Sequence, residues 1–222
     1  MIKKIIITGT SSGLGFEMAN SLIKEYSVIG LSKTLGKAKK IKKKNFKFIS
    51  LDLSNFSDLT KLDKIKDVDC LINNASLFSI KSFDKMKQDE IIKITNVNFL
   101  GTILLTKKIM ENNKKLKKII NILSVSGLHG IKNQSIYSAT KHGLKGFFDS
   151  LSQENIKKVS ISNIFPGGMK TELWKSIDQI DKKKFSKFLD TKSVYRLVKF
   201  ILTQEKNVII KNVTIFPEND WH

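Results

Sequence analysis

The stretch Lys3-Lys4-Ile5-Ile6-Ile7-Thr8-Gly9-Thr10-Ser11-Ser12-Gly13-Leu14-Gly15 constrains this chain more than any other. Its unbroken apolar, β-branched run predicts a strand buried on both faces. Glycines follow at once, and from Phe16 to Lys24 apolar residues return at helical spacing (Phe16, Ala19, Leu22, Ile23). Strand, glycine-rich turn and helix form the first half of a dinucleotide-binding unit. Gly9 permits the tight turn, Gly13 lets backbone approach a pyrophosphate, and Gly15 lets helix and strand pack closely. The start of the helix, with Ser11, Ser12 and Leu14, then offers free N–H groups to phosphate. A lone glycine triplet is a weak motif; the flanking strand and helix give this one its context.

A second signal lies at Tyr137-Ser138-Ala139-Thr140-Lys141. On a helix, positions i and i+4 share a face, so Tyr137 and Lys141 stack one turn apart. A free phenol, with a pKa of about 10, is a poor acid–base group near neutrality. An ammonium beside it is expected to stabilise the phenolate and lower that value. The preceding run from Lys118 to Leu123 reads as a buried strand that delivers the Ser124 hydroxyl at its carboxyl end. Alone, the Tyr/Lys pair reads rather as a half-buried tyrosine with a solvated lysine; the glycine-rich turn at the other end of the chain favours chemistry.

With these motifs the chain resembles the short-chain dehydrogenase/reductase family, from about residue 3 to about residue 216. The family's Thr-Gly-x-x-x-Gly-x-Gly matches Thr8 to Gly15. Its Asn-Asn-Ala-Gly matches Asn73-Asn74-Ala75, with Ser76 where glycine is usual. Its helix asparagine falls on Asn98. Its serine falls on Ser124, thirteen positions before Tyr137 (137 − 124 = 13), and its Pro-Gly segment on Pro166-Gly167 with Met169 and Thr171. The resemblance implies a single doubly wound α/β domain of Rossmann type, with a mostly parallel sheet between helices. It also implies hydride exchange between a nicotinamide cofactor and a small carbonyl or alcohol substrate, with Asn98, Ser124, Tyr137 and Lys141 as the catalytic set. In that scheme Ser124 binds the carbonyl oxygen, Tyr137 is the general acid/base, Lys141 assists it and holds the nicotinamide ribose, and Asn98 fixes a relay water.

The end of the second strand, Ser27 to Ser32, bears on cofactor choice. NAD enzymes usually place an acid there for the ribose hydroxyls, whereas this chain has Ser32 and Lys33. A hydroxyl and an ammonium would hold a 2′-phosphate, so NADP is expected over NAD. The other reading of Lys33 is one more solvated lysine. Lys37 is a possible helper, and the lysine run from Lys39 to Lys44 reads as a solvated turn. The third strand, Asn45 to Leu51, leads to Asp52 and Leu53. By resemblance Asp52 lies near the adenine, and it would also cap a helix starting near Ser54. The fourth strand, Asp69 to Ile72, ends in the Asn74-Ala75 wall of the cofactor cleft. A long helix from about Asp89 to Met110 carries Asn98. A strand from Val159 to Phe165 and, at the C-terminal end, a helix from Lys192 to Leu202 and a strand from Asn212 to Phe216 complete the pattern.

Residues 168–190, with Met169, Leu173, Trp174, Ile177, Phe185 and Phe188, match the family's substrate lid. Trp174 reads either as a cover for an apolar substrate portion or as domain packing. His129 and Gln134 are placed on the opposite wall. The histidines His129, His142 and His222 have no ligand spacing, so no metal is expected. Cys70 reads as a buried apolar residue. The helices holding Asn98 and Tyr137 carry extra apolar positions, including Phe147, Phe148 and Leu151; the family's habit of pairing there makes a homodimer or homotetramer the expectation.

The formal charge of +20 over 222 residues comes almost wholly from lysine, Arg196 being the sole arginine. Arginine forks and interleaved aromatics, the usual marks of nucleic-acid readers, are missing, so a solvated lysine surface is the expectation rather than nucleic acid. No apolar run reaches the ~18 residues of a membrane span, and the first strand starts at once, so a cytoplasmic protein is expected. The alternative function is a catalytically weak nucleotide sensor or polyanion binder on the same fold.

Overall fold

The computed structural model describes residues 2–172, 174, 185–205 and 207–218. Seven strands form one sheet: β1 (Lys4–Thr8), β2 (Ser27–Ser32), β3 (Phe46–Ser50), β4 (Cys70–Asn73), β5 (Lys118–Ile122), β6 (Ser160–Pro166) and β7 (Asn212–Ile215). Their order is β3-β2-β1-β4-β5-β6-β7, and every neighbouring pair is parallel. The chain therefore winds outward from β1 in one direction, then returns to build the other half from β4. The crevice at this switch point is where such sheets bind nucleotides.

Among the described residues the main α-helices are α1 (Gly13–Leu22), α2 (Gln88–Thr95), α3 (Gly101–Asn112), α4 (Ser135–Glu154) and α5 (Thr191–Thr203). Buried strands explain the apolar runs: Ile5 and Ile7 pack on one face with α1 and α5, while Ile6 packs on the other with α3 and α4. Where one long helix is expected from Asp89 to Met110, α2 and α3 are joined by a π-turn at Asn96–Leu100. Wider turns of this kind often mark functional positions, and this one carries Asn98, which is fully buried.

The expected cap on a helix at Ser54 is replaced by a local turn. Asp52 Oδ1 accepts bonds from the Ser54 N–H (3.0 Å) and hydroxyl (2.7 Å), and the short 3-10 helix starts later, at Phe56. Phe148, expected on an outer face of α4, is instead fully buried in the core, because the helix turns that position toward the sheet. The apolar side chains left exposed beside the π-turn are Ile92 and Leu100.

One polar feature runs through the sheet. Asn73, Asn121, Asn163 and Asn212 occupy one rung across β4 to β7. Asn73 donates to Asn121 (2.9 Å), Asn121 to Asn163 (2.9 Å) and Asn163 to Asn212 (3.0 Å). Asn121 is fully buried, so its loss strands polar groups on both neighbours. Asn121→Ala is expected to cost about 2–4 kcal/mol, read as a lower urea midpoint. Asn212→Ala at the exposed end of the ladder should cost about 1 kcal/mol or less.

Candidate active site

The glycine-rich turn is held at both ends. Gly9 has φ +76°, in the left-handed region, and a Cβ on Gly15 would stand 2.1 Å from the Gly9 carbonyl oxygen. Ser12 caps α1 without a side-chain hydrogen bond, which leaves the first-turn N–H groups for a phosphate. The Thr8 hydroxyl accepts from the N–H groups of Asn74 (2.8 Å) and Ala75 (2.9 Å), and the Asn74 amide donates to the Thr8 carbonyl (2.8 Å). The segment after β4 is thus strapped to the end of β1.

A cavity of about 450 Å³ opens over this turn. It gathers Gly9, Ser11, Ser12, Gly13, Leu14 and Gly15 from the loop, Ser32, Lys33, Asp52 and Leu53 from the ends of β2 and β3, and Asn74 and Ala75 after β4. Tyr137, Lys141, Met169 and Thr171 close it, while Lys93 and Glu172, which sequence reasoning passed over, line it too. Two of these residues differ from expectation. The Ser32 hydroxyl is engaged inside the loop: it accepts from the Ser11 N–H (3.1 Å) and donates to the Leu31 carbonyl (2.7 Å). Lys33 pairs with Asp52 at 2.7 Å, its side chain 71% exposed. Burial works to raise the Asp52 carboxyl, but hydrogen bonds from Lys33 and Ser54 outweigh it and hold the group at about 2. Lys37 reaches Glu172 rather than the second strand.

A second cavity of about 590 Å³ adjoins the first, lined by Ser124, His129, Gln134, Pro166 and Gly167 among others. Leu123, Tyr137, Met169 and Thr171 border both cavities. An aromatic chain forms part of its wall: Phe78 meets the Tyr137 ring edge-on at 4.9 Å and Trp174 at 4.9 Å, and Trp174 meets Phe188 at 4.8 Å. Trp174 therefore both packs on its neighbours and faces the cavity, so the two readings of it coincide. Leu173 and residues 175–184 of the expected lid lie outside the described residues, as do residues 219–222 of the tail.

Ser124 stands at the end of β5, accepting from the Ser126 N–H (3.1 Å) and donating to the Ser126 hydroxyl (3.2 Å), which in turn donates to buried Gln134 (3.0 Å). Hydrogen-bonding pulls from the Ser124 and Ser76 hydroxyls act to lower the Tyr137 phenol. Lys141 is buried, its Nζ 3.4 Å from the Ile122 carbonyl and 5.4 Å above the centre of the Tyr137 ring. The expected lowering of the phenol by this ammonium is reversed. Burial pushes Tyr137 up to about 12, against the pulls of the two serines, and burial pushes Lys141 down to about 8. Desolvation wins because each charged form loses its water on burial.

Asn98 lines neither cavity. Its amide oxygen accepts from the Leu77 N–H (2.7 Å) and its nitrogen donates to the Leu77 carbonyl (2.8 Å), clamping the peptide that follows Ser76. An amide oxygen has two lone pairs, so one stays over for a further partner. Ser76, the departure from the family pattern, has no positive φ, so a side chain sits there without backbone strain. Among the described residues no group of three or more His, Cys, Asp or Glu side chains gathers as a metal site would. None of their helices is long and apolar enough to cross a membrane. Cys70 is fully buried, and burial drives its thiol far above the usual range.

The model of the short chain dehydrogenase family matches residues 3–182. The chain is 34% identical to the 3-oxoacyl-(acyl-carrier-protein) reductase FabG of Buchnera aphidicola subsp. Schizaphis graminum, over 82% of this chain and 80% of that protein. Among solved structures it is similar to ElxO with NADP bound, with a TM-score of 0.85 at 28% identity and 98% of both chains covered. It is similar also to 4-hydroxyisoleucine dehydrogenase complexed with NADH, with a TM-score of 0.84 at 26% identity and 97% of both chains covered. A parallel seven-stranded sheet, a glycine turn at its switch point and a Ser/Tyr/Lys cluster between two cavities agree with these likenesses, and the chain belongs to the short-chain dehydrogenase/reductase family of NAD(P)-dependent oxidoreductases.

Proposed function

We propose that the chain interconverts a carbonyl and an alcohol with NADP(H), with Tyr137 as the general acid/base. The observation that carries this reading is the position of Tyr137 on the border of the two cavities, with Ser124 beside it in the second and Lys141 over its ring. A nucleotide fits the first cavity on physical grounds: the turn is too tight for a Cβ at Gly15, and the start of α1 is uncapped by side chains. When bound there, reduced nicotinamide supplies the hydride. The protein's own groups do the rest. Ser124 turns its hydroxyl to the carbonyl oxygen, and the Tyr137 phenol gives that oxygen its proton, so one hydride and one proton convert C=O to CH–OH. Lys141 holds positive charge beside the phenolate that remains, and Asn98 fixes the Ser76–Leu77 turn and offers its spare lone pair to a relay water.

The aromatic wall of Phe78, Trp174 and Phe188 favours a substrate with an apolar body, and the lid over residues 168–190 would cover it. The test is NADPH consumption across a carbonyl panel that includes a 3-oxoacyl thioester, prompted by the Buchnera relative, with products analysed for each active compound. Failure of every carbonyl with NADPH and with NADH would overturn the reading.

Assembly belongs to the same proposal. Ile92 and Leu100 are exposed beside the π-turn, and Phe147 and Leu151 of α4 are only partly buried. Covering them in a homodimer or homotetramer removes apolar surface from water. Light scattering at micromolar concentration is expected to give at least a dimer mass, and a monomer would contradict it.

A further inference from the structure

We infer that Gln134 is a substrate-binding residue, its amide nitrogen holding a second, uncharged carbonyl oxygen of a substrate whose first carbonyl Ser124 takes. The inference deepens the proposed function and rests on Ser124 binding the reacting oxygen. Gln134 stands at the N-cap of α4, three residues before Tyr137, yet its side chain makes no cap hydrogen bond. It lines the second cavity instead, together with Ser124, Ser126 and Tyr137. Its backbone is held on both sides: the N–H donates to the Ile131 carbonyl (3.0 Å), and the carbonyl accepts from the Ser138 N–H (2.7 Å). The Asn133 carbonyl just before it accepts from the Lys81 N–H (2.8 Å). Gly127 lets the Ser126 turn lie close on α4, since a Cβ there would stand 3.0 Å from the Lys141 carbonyl oxygen. These contacts fix Gln134 and Ser126 before any substrate arrives.

Donor accounting leaves one group over. Ser124 donates to the Ser126 hydroxyl (3.2 Å), and Ser126 directs its own proton to the Gln134 amide oxygen (3.0 Å). That bond fixes which way round the amide sits, with its two N–H groups on the other side. Gln134 is only 9% exposed. Among the described residues, the polar side-chain atoms sealed in without a partner are Asn73 Oδ1 and Ser138 Oγ. The Gln134 nitrogen is not one of them and meets no acceptor among those residues, so its outlet is the cavity it lines. An N–H pair so nearly enclosed calls for an acceptor. The cavity decides which kind. Its basic side chains, His129 and Lys132, are exposed, and Lys141 lines the other cavity alone. A carboxylate beside Gln134 would lose water and gain only a neutral donor, which is costly; a carbonyl oxygen loses far less. Ser126 alone stands between the two donors, so the two oxygens belong on carbons close together, as in a 1,3-dicarbonyl compound. The rest of the substrate is apolar, lying along Phe78, Trp174 and Phe188.

The experiment compares a 3-oxo ester with the keto ether of equal length, in which CH2 replaces the ester carbonyl, and with the 3-oxo carboxylate. Wild type, Gln134→Leu and Gln134→Met are assayed with NADPH and with NADH. Wild type is expected to favour the ester over the ether by roughly ten- to a hundredfold in kcat/KM, and over the carboxylate as well. Both variants should lose most of that preference by slowing on the ester, with the ether reduced at near wild-type efficiency. Binding is read separately with NADP+, which has no hydride to give: Gln134→Leu should weaken the ester about tenfold in an NMR titration. An unchanged NADPH dissociation constant is the check that each variant is folded. Equal use of ester and ether by wild type would overturn the inference without any variant. Equal losses on both compounds would show that Gln134 only supports Ser126 and Ser124, and would overturn it too. A preference for the carboxylate would overturn the uncharged acceptor. If other ketones of the panel are reduced and the 1,3-dicarbonyl has no advantage, this inference alone falls. If no carbonyl is reduced with either cofactor, the proposed function falls and takes the inference with it.

Discussion

Tyr137→Phe is expected to lower turnover by about a hundred- to ten-thousandfold, the usual contribution of a positioned general acid, while NADPH binding stays near the wild-type value. The substitution keeps the ring and therefore its edge-on packing against Phe78. It removes the phenolic proton that the proposed reduction uses. Loss of KM discrimination alone would not give this pattern; a fall in kcat and kcat/KM together would. The pH dependence supplies a second check. With the phenol pushed up to about 12 in the free protein, the phenolate needed for alcohol oxidation becomes populated only as pH rises. Oxidation by wild type should climb through the alkaline range and reduction should not, and the residual activity of Tyr137→Phe should lose that climb. Turnover near the wild-type rate would remove Tyr137 from the chemistry. Ser124→Ala should also depress turnover, with the NADPH dissociation constant as the control.

The features legible in the sequence are those whose causes are local. A glycine turn between an apolar run and a helical period, and a serine thirteen residues before a tyrosine, already contain the strand ends that the fold brings together. The alternation of strands and helices likewise fixes the doubly wound sheet, because each parallel pair needs a crossover. The features not legible depend on registers between strands and on competition between side chains. Nothing local says that Asn73, Asn121, Asn163 and Asn212 share a rung; only the strand pairing does. The π-turn at Asn96–Leu100 leaves no periodicity signal in so short a span. Phe148 reads as one more apolar helix position until the sheet beneath α4 shows which way it points. Ser76 is visible as a departure from glycine, yet only the fold shows that Asn98 clamps the Leu77 peptide next to it. The Tyr137 shift runs opposite to expectation because spacing reveals proximity but not the loss of water.

Cofactor choice is where the structure most changes the sequence argument. The sequence treats Ser32 and Lys33 as joint holders of a 2′-phosphate, but Ser32 is buried, with its hydroxyl committed to the Ser11 N–H and the Leu31 carbonyl. The proposed preference for NADPH therefore falls on Lys33, which stands in solvent and is paired with Asp52. Asp52 stays ionised at any working pH, since its hydrogen bonds with Lys33 and Ser54 hold its carboxyl at about 2 against the effect of burial. In Lys33→Ala the ammonium goes and that carboxylate is left facing the site alone. A 2′-phosphate then loses an attraction and meets a repulsion, whereas ribose hydroxyls gain an acceptor of the kind NAD enzymes use. NADPH is expected to weaken by roughly ten- to a hundredfold, with NADH unchanged or tighter. Added salt should narrow the wild-type preference, because the lysine is exposed and acts as a point charge. Placing an acid at Ser32 would instead bury a charge and cut the tie to Ser11, so the switch should come from Lys33 alone. Equal dissociation constants for NADPH and NADH in the unmodified protein would leave Lys33 as a solvated partner of Asp52 and remove the basis for the preference.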